Sequence, residues 1–254
     1  MSNNHSSFTE RGWEDYAICY DSINHLLPYQ KMLADVVSEI PKLCTHLLDA
    51  ACGTGNLETA IARSQIFSGL SIAGVDASQE MLKRARAKIG TEPNISFSFA
   101  DLNSSLSFQN ESFDCVTSIN TMYAIKDPRA LLDEFHRVLK KGGTLIIVTP
   151  KLGCQNGVIL KDHCGSKKPD EYWFDAHSNE EREVSLIHEA ITDKEIAKQM
   201  IRIGMYNRHI CSTARFHFFK EADLIQLLRD ASFSVSGIKS TYGRQAHFVI
   251  ATAD

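Results

Sequence analysis

The stretch LLDAACGTGN at Leu47–Asn56 constrains the fold of this chain more than any other. An apolar run that contains an acid leads into a loop of small residues, and a helix-like segment follows directly. This order is typical of a strand, turn and helix at the ligand-binding edge of a parallel α/β sheet. Gly53 and Gly55 permit positive φ angles and let a ligand approach without a Cβ in the way. The stretch therefore predicts a nucleotide-like ligand at this turn.

Strand-like and helix-like segments alternate regularly from Leu47 to Pro150. Strands are expected at Leu47–Ala51, Leu70–Val75, Ile95–Ala100, Phe113–Asn120 and Thr144–Thr149, with helices at Leu57–Ser64, Glu80–Ile89 and Pro128–Lys140. Short βα units in this order predict an α/β fold with a doubly wound, mostly parallel sheet and right-handed crossovers. The basic and glycine residues of Lys140–Gly143 are expected to form the last helical turn and its stop.

The remaining segments complete one predicted domain. Residues 1–45 are expected to form an N-terminal helical cap, 46–150 the ligand-binding core, 151–216 an inserted lid and 217–254 a C-terminal helix and hairpin. In the lid, helices are expected at Asn179–Ile191 and Asp193–Ile203. After the helix Glu221–Asp230, strands at Phe233–Ser240 and Gln245–Ala251 should pair antiparallel and bring the sheet to seven strands.

The charge balance favours a small molecule over a polyanion as the partner. The 254 residues include 27 basic and 31 acidic side chains, for a formal net charge of -4. This balance argues against an open phosphate-binding surface, so nucleic acid is disfavoured. No apolar stretch reaches the roughly 18 residues of a membrane span, and the first residues lack the order of a signal peptide. We expect a cytoplasmic protein that is a monomer or a homodimer.

The seven cysteines indicate neither a disulfide framework nor a structural zinc site. Most are expected to be small core residues, and no metal is expected. Cys154, Cys164 and Cys211, together with His163, fall in the lid and leave open an alternative in which they gather around a soft metal.

Acids at successive strand ends indicate the kind of ligand. Asp76 ends the second predicted strand, where dinucleotide folds place an acid that accepts hydrogen bonds from ribose hydroxyls. Asp101 ends the third, and Leu102 beside it would pack on a flat ring such as adenine. Glu58 stands at the third position of the pattern G-x-G-x-x-G, where a carboxylate would repel a pyrophosphate. A positively charged adenosine compound without phosphates fits these acids.

Five motifs follow one another at regular spacing: LLDAACGTGNLE, AGVDASQEMLKRA, FADLNSSLSF, ESFDCVTSINTMYAIKDPRALLDEFHRVLKKGGTLII and HFFKEADLIQLLRDASFSV. In order and spacing they resemble the motifs of the class I S-adenosylmethionine-dependent methyltransferases. The resemblance is strong over Leu47–Pro150 and looser over Phe216–Ala253. It implies the Rossmann-like methyltransferase fold, S-adenosyl-L-methionine as cofactor and methyl transfer, and it says almost nothing about the acceptor.

The resemblance also implies which residues hold the cofactor. They are Tyr20, Asp49, Cys52, Gly53, Gly55, Asp76, Ala77, Met81, Asp101, Leu102 and Asn120. Asp49 and the loop residues Cys52, Gly53 and Gly55 would line the methionine moiety. Asp76 would bind the ribose, and Asp101 would bind the edge of the adenine. Tyr20 and Asp21 resemble a pair that covers the cofactor in related small-molecule enzymes. Ala51 stands where a glycine is common, a change that adds only a methyl group.

No motif identifies a catalytic base. A sulfonium methyl group is already electrophilic, so an enzyme of this kind mainly aligns the acceptor atom and excludes water. The candidates for binding or deprotonating the acceptor are Tyr123, His25, His163, His177, His188 and His209. Trp13, Tyr16 and Tyr20 recur at helical spacing, which fits either packing on the sheet or closure over a ligand.

The leading interpretation is a methyltransferase that acts on a small-molecule acceptor held between the lid and the N-terminal helices. An RNA or protein methyltransferase is the nearest rival, and it is disfavoured by the acidic net charge. It is also disfavoured by Ile119–Met122, where enzymes that methylate amino groups of bases or glutamine carry N-P-P-Y or D-P-P-Y. A nicotinamide oxidoreductase is disfavoured by Glu58. A catalytically silent S-adenosylmethionine-binding module remains open, as does methylation of a thiol or soft metalloid at the lid cysteines.

Overall fold

The computed structural model describes residues 10–174, 179–213 and 216–254. The strands are β1 His46–Ala50, β2 Ser71–Asp76, β3 Ile95–Phe99, β4 Phe113–Ile119, β5 Leu139–Pro150, β6 Phe233–Thr241 and β7 Ala246–Ala253. The helices are α1 Glu10–Tyr20, α2 Leu27–Glu39, α3 Asn56–Ser64, α4 Gln79–Ile89, α5 Pro128–Val138, α6 Asn156–Cys164, α7 Asp170–Phe174, α8 Glu180–Ala190, α9 Lys194–Thr213 and α10 Glu221–Asp230. Short 3₁₀ helices occupy Asp21–His25 and Met122–Ala124.

The strands form one seven-stranded sheet in the order β3-β2-β1-β4-β5-β7-β6. β1 pairs in parallel with β2 and β4, whereas β7 runs antiparallel to β5 and β6. The predicted doubly wound, mostly parallel sheet with an antiparallel terminal hairpin is therefore confirmed. The strand order reverses between β1 and β4, and a sheet of this kind binds ligands in the crevice at that point.

Both faces of the sheet are buried, each in its own apolar cluster. Leu47 packs with the N-terminal helices and with segment 151–216, while its neighbour Leu48 packs with residues of α5 and α10. Successive residues of a strand point to opposite faces, so a central strand needs apolar side chains at every position. This explains the apolar run at β1. Asp49 is the one acid in this strand, and because it is buried it needs hydrogen-bond partners.

The helix α5 ends earlier than the sequence predicts. It stops at Val138, and Leu139 opens β5 by pairing with Phe113 before the register shifts to the pair Cys115–Thr144. Leu139 is buried there, which anchors the chain as strand rather than helix. The basic residues expected as a helical turn thus belong to the irregular start of β5. Within it, the Nζ of Lys140 lies 2.6 Å from Oδ1 of Asp114.

The segment 151–216, predicted as a lid and called the insert from here on, forms with its described residues a helical layer over the carboxyl edge of the sheet. The helices expected at Asn179–Ile191 and Asp193–Ile203 are α8 and α9, although α9 continues to Thr213, and α6 and α7 were not predicted. α9 lies against α1, and α6 against α2, so the insert and the N-terminal helices share one apolar cluster. None of the helices in the described ranges is long and apolar enough to cross a bilayer.

Candidate functional site

A cavity of about 290 Å³ opens at the carboxyl edge of the sheet. One part lies against the loops that follow β1, β2, β3 and β4, and we call it the strand-end half. It is lined by Gly53, Asp76, Asp101 and Asn120. The other part lies beneath the insert and α1, and we call it the roof half. It is lined by Tyr16, Tyr123, Glu183, Asn207, Phe216 and Phe218.

The two glycines of the loop after β1 serve different purposes. Gly53 has a φ of +55° and lines the cavity, where an added Cβ would lie 3.5 Å from the ring of Tyr20. Gly55 has a φ of +76°, and a Cβ there would lie 3.2 Å from the Cβ of Ala85 on α4. Thus Gly53 keeps space open for a ligand, whereas Gly55 allows α4 to pack closely against the loop.

Ala51 adds more than a methyl group to this loop. Its φ is 65°, in the left-handed region that a residue with a Cβ enters only with strain. Glycine would occupy this position without that strain. The departure from the common glycine therefore stores backbone strain beside the cavity, which Ala51 itself lines.

The carboxylate of Asp76 connects the loop after β1 to the start of α4. Its Oδ2 accepts a hydrogen bond from the backbone N–H of Gly53 at 2.9 Å, and its Oδ1 accepts one from the N–H of Ser78 at 2.9 Å. Each carboxylate oxygen can accept a further hydrogen bond, so both remain able to meet donors in the cavity. Burial raises the pKa of Asp76 from 3.8 to about 6, and the two backbone hydrogen bonds oppose that rise.

A carboxylate from α1 caps the first turn of α4. The two oxygens of Glu14 accept hydrogen bonds from the backbone N–H groups of Gln79 and Glu80, at 2.7 and 2.8 Å. The Ser78 hydroxyl caps the same turn by accepting from the N–H of Met81. Because these N–H groups have no partner within the helix, the contact fixes α1 over the strand-end half.

Two further residues equip the strand-end half with hydrogen-bond acceptors. Asp101 is exposed at the cavity edge, where its Oδ1 accepts from the backbone and side-chain amides of Asn103 at 2.9 Å each. Asn120 follows β4 with a φ of 53°, a conformation that asparagine tolerates better than most residues. Its Oδ1 is buried with no hydrogen-bond partner among the described residues, although the residue lines the cavity. A ligand donor would satisfy this oxygen.

Asp49 and Glu58 form a buried carboxyl pair beneath the loop rather than part of the cavity wall. Asp49 accepts a hydrogen bond from the Thr117 hydroxyl at 2.7 Å, and Glu58 is fully buried with an oxygen close to Gly74. Burial raises the pKa of both carboxyl groups. Glu58 therefore does not face a ligand, and the repulsion of a pyrophosphate expected at this position has no geometric basis here.

A polar cluster fastens the 3₁₀ helix after α1 to the loop after β1. The Nζ of Lys88 lies 2.7 Å from Oδ1 of Asp21, 3.1 Å from the Thr54 hydroxyl and 2.6 Å from Oδ1 of Asn56. The Thr54 hydroxyl also donates to Asp21 at 2.5 Å. We call these four residues the Lys88 clamp. Asp21 thus acts from outside the cavity, while the adjacent Tyr20 lines it.

Aromatic rings form one wall of the roof half. The Tyr123 ring stacks on Phe218 with centroids 5.8 Å apart and meets the edge of Phe216 at 4.9 Å. On the opposite side Tyr16 donates a hydrogen bond from its hydroxyl to Oδ1 of Asn207 at 3.2 Å. Within the described residues, no lysine, arginine or histidine lines the cavity. The cavity thus offers aromatic faces and hydrogen-bond acceptors but no positive charge.

Most residues expected to hold a cofactor do line this cavity. The ones that do are Tyr20, Gly53, Asp76, Ala77, Met81, Asp101, Leu102 and Asn120. Asp49, Cys52 and Gly55 do not line it, because all three are buried, Asp49 within β1 and the other two within the loop itself. Sequence reasoning missed Asn207, Phe216 and Phe218, which carry no motif and come from segments distant in sequence.

The expected histidines lie elsewhere. His25 is exposed, and His163 accepts a hydrogen bond from the backbone N–H of Leu27 at 3.1 Å on the outside of the cap, so neither reaches the cavity. His188 and His209 are also exposed and do not line it. His177 lies outside the described residues. Tyr123 is the remaining acceptor-side candidate that lines the cavity.

The lid cysteines do not form a metal site in the part of the chain that the structure describes. Cys154 lines the cavity, whereas Cys164 is exposed on the outer side of the insert. The side chain of Cys211 lies outside the described residues. No group of three or more histidine, cysteine, aspartate or glutamate side chains there is arranged to hold a metal ion.

A protein-family model described as a methyltransferase domain matches residues 48–147, which run from β1 into β5 and carry the acids of the strand-end half. Residues 48–147 are a class I S-adenosylmethionine-dependent methyltransferase domain. The cofactor of this domain is accordingly S-adenosyl-L-methionine.

The chain is similar to curated proteins named as menaquinone and ubiquinone methyltransferases over part of their length. A demethylmenaquinone methyltransferase from Chlorobaculum parvum is 34% identical over 163 residues, which are 59% of this chain and 62% of that protein. The ubiquinone/menaquinone biosynthesis C-methyltransferase UbiE from Geotalea uraniireducens is 34% identical over 143 residues, 52% of this chain and 60% of that protein. The chain thus spans about three fifths of these relatives.

The likeness in fold extends beyond the methyltransferase domain. A Haloferax volcanii protein, solved in complex with the Trm112 methyltransferase activator, superposes with a TM-score of 0.63 at 20% sequence identity. The superposition covers 95% of this chain and 97% of that chain, so it includes the helical cap and the insert. At this identity the likeness shows the fold alone.

The residues of the strand-end half fit this cofactor. The unpartnered Oδ1 of Asn120 and the free acceptor capacity of Asp76 are available to the ammonium and hydroxyl donors of S-adenosylmethionine. The acidic wall without a lysine, arginine or histidine among its described residues suits a sulfonium cation. Gly53 leaves the backbone open where a Cβ would narrow the space beside Tyr20.

Proposed function

We propose that this protein transfers a methyl group from S-adenosylmethionine to a small-molecule acceptor bound in the roof half of the cavity. The observation that carries the proposal is the continuity of the two halves. One cavity joins Asp76 and Asp101 on the strand-end side to Tyr123, Phe216 and Phe218 on the roof side. A methyl donor held at one end would therefore face an acceptor held at the other.

In this proposal, the strand-end half holds the cofactor by hydrogen bonds and apolar contacts. The carboxylate of Asp76 accepts from the ribose hydroxyls while its two backbone partners keep it in place. Ala77, Met81 and Leu102 pack on the adenine, and Asp101 accepts from the exocyclic amine. Asn120 takes up the methionine end. These assignments rest on the position of each residue at the cavity, at the end of a strand or, for Met81, on the helix that follows β2.

The bound cofactor supplies an electrophilic methyl group, so the protein has to align the acceptor atom with it and keep water out. Tyr16 and Tyr20, whose rings are tilted by 46° to each other with centroids 5.5 Å apart, both line the cavity and close it from above. Burial raises the pKa of both phenols well above the usual value, so these rings remain neutral. In this proposal, Tyr123, which lines the cavity, contacts the acceptor near the methyl group.

Two observations support a small acceptor. The roof covers the cavity with α1 and the insert, which leaves no open surface for a nucleic acid among the lining residues, and none of the described ones is basic. In addition, the relatives named above act in quinone biosynthesis by their names. The exclusion of large polyanions is thus a matter of both access and charge.

The test is a titration followed by a turnover assay. Isothermal calorimetry should show one site for S-adenosylmethionine and for S-adenosylhomocysteine. Incubation with S-adenosylmethionine and a metabolite extract should then yield S-adenosylhomocysteine together with a product heavier by one methyl group. Binding without any such product across extracts would favour the second candidate, a catalytically silent binding module. Failure of both compounds to bind would contradict the proposal.

A further inference from the structure

Glu183 is a buried carboxylate in the wall of the roof half. It belongs to α8, is only 4% exposed, and lines the cavity. Burying a carboxylate is costly unless charge and hydrogen bonds compensate for the lost water. The chain supplies that compensation from α9, where Arg208 forms an ion pair with Glu183 through Nη1. The carboxylate is thus held at the cavity at a cost that other elements offset.

A glycine on α9 makes this position possible. A Cβ added at Gly204 would lie 2.7 Å from Oε1 of Glu183, closer than a Cβ ever packs against an oxygen. Gly204 also lines the cavity next to the carboxylate. The backbone of α9 therefore provides space for this acid, and the acid is a built part of the wall rather than a surface residue that happens to turn inward.

The second terminal nitrogen of Arg208 pairs with an acid that is exposed to solvent. Its Nη2 lies 3.3 Å from Oε1 of Glu180, whose side chain is 60% exposed to solvent. Two acids of the same helix turn thus share one arginine, but only Glu183 reaches the cavity. Glu180 provides a matched control that changes the same ion-pair network without changing the cavity wall.

The rest of the roof half has the chemistry of a ring-binding site. Tyr123, Phe216 and Phe218 present aromatic faces and edges to the cavity. Aromatic ligands pack favourably against such an arrangement through stacked and edge-to-face contacts. Since Arg208 is committed to the acids and no described lining residue is basic, nothing there offers a positive charge to an anionic ligand.

We propose that the acceptor is an aromatic molecule without negative charge that donates a hydrogen bond from an O–H or N–H group to Glu183, while the three rings pack on its face. This inference rests on the proposed function and deepens it by giving the acceptor's chemistry. Glu183 is then the residue that determines specificity. A carboxylate or phosphate on the acceptor is rejected because it would meet a buried like charge.

Binding of three probes of nearly equal size tests this inference on the full-length protein saturated with S-adenosylhomocysteine. 2-Naphthol has a ring system and a donor, naphthalene has no donor, and 2-naphthoate is an anion. Fluorescence or calorimetric titration should rank 2-naphthol first. One hydrogen bond to a charged acceptor predicts roughly tenfold or more over naphthalene, and like-charge repulsion predicts roughly tenfold or more over 2-naphthoate.

The variant Glu183→Gln should remove most of both preferences and leave the affinity for S-adenosylhomocysteine within about twofold, whereas Glu180→Gln should keep the wild-type ranking. If Glu183→Gln does not fold, the ranking of the three probes on the wild-type protein still decides the matter. Equal affinities for 2-naphthol and 2-naphthoate, no binding of any probe, or an unchanged ranking in Glu183→Gln would each overturn the inference. Failure of S-adenosylhomocysteine to bind would instead overturn the proposed function, and it would be seen before a probe is added.

Discussion

The two halves of the cavity are built in different ways. The strand-end half uses residues that directly follow consecutive parallel strands, and their backbone groups hold one another, as Gly53 and Ser78 hold Asp76. The roof half draws on α1, the loop after β4, α8, α9 and the segment before α10, which are far apart in sequence. A shared fold therefore preserves the first half, whereas the second half is free to differ between proteins that use the same cofactor.

Among changes that test this difference between the two halves, the loss of Asp76 should have the largest effect on cofactor affinity. The change Asp76→Ala removes the acceptor for the ribose hydroxyls, and each hydrogen bond to a charged group contributes roughly 1.5 to 3 kcal/mol. Affinity for S-adenosylhomocysteine should fall by roughly tenfold or more in calorimetry. The exposed Asp133 of α5, which pairs with Arg129 away from the cavity, is the control, and Asp133→Ala should bind like the wild type. Equal binding by the Asp76 variant would remove the ribose assignment.

The affinity for the cofactor should also depend on pH. The pKa of Asp76 in the free protein is raised to about 6, so the carboxyl group becomes protonated as the pH falls through that value and loses acceptor capacity. Affinity should therefore rise between about pH 5 and 7, by roughly tenfold. The stability of the free protein should change in the opposite direction. The folded state binds the proton of Asp76 more tightly than the unfolded state, so the free energy of unfolding falls as the pH rises from about 4 to 6.

The variant Asp76→Asn separates the two effects of pH. It removes the titrating group and should leave an affinity that changes little between pH 5 and 7. An undiminished pH dependence in this variant would assign the titration to another group, with the buried pair Asp49 and Glu58 as the next candidates, because burial raises the pKa of both.

A change in the Lys88 clamp tests whether the two halves are mechanically joined. Lys88→Met keeps an unbranched side chain, one atom shorter and uncharged, and removes the hydrogen bonds to Asp21, Thr54 and Asn56. The free energy of unfolding should fall by roughly 1 to 3 kcal/mol in a urea titration, because polar groups of the clamp lose their partner. Cofactor affinity should fall as well if the roof depends on the loop.

The matched control is Lys83→Met on the same helix. Lys83 is 77% exposed and pairs only with Glu80, so its loss should change the free energy of unfolding by less than about 0.5 kcal/mol. A stability loss in Lys88→Met without any change in cofactor affinity would show that the halves act independently.

The smallest effect is expected at Ala51. The change Ala51→Gly relieves the strain of a φ of 65°, and the greater freedom of glycine in the unfolded chain offsets part of that gain. Thermal unfolding should show a net stabilisation of up to about 1 kcal/mol. The control is Ala50→Gly at the neighbouring position in β1. It should lower the free energy of unfolding by roughly 0.5 to 1 kcal/mol, because glycine within a strand is destabilising. A destabilising Ala51→Gly would mean that the methyl group makes contacts worth more than the strain.

The sequence predicted the sheet and the strand-end half well, because both follow from local patterns. Alternating apolar runs and turns located every strand within two residues except the start of β5, and the acids at the ends of β2 and β3 lie at the cavity as expected. The prediction failed where tertiary contacts override local preference. Leu139 pairs with Phe113 and pulls the basic stretch after it into β5, although lysines and glycines there are typical of a helix end.

What the sequence by itself determined is the order of strands, helices and strand-end acids, since each of these depends on residues close together in the chain. Only the tertiary structure decided which side chains face the cavity. It turned Glu58 and Asp49 into a buried pair behind the loop, moved His25 and His163 to the outside, and brought Glu183 to the roof half. The physical reason is that contacts between segments far apart in the chain decide which side chains of a helix or loop are covered. The local spacing of residues does not show which other segment will cover them.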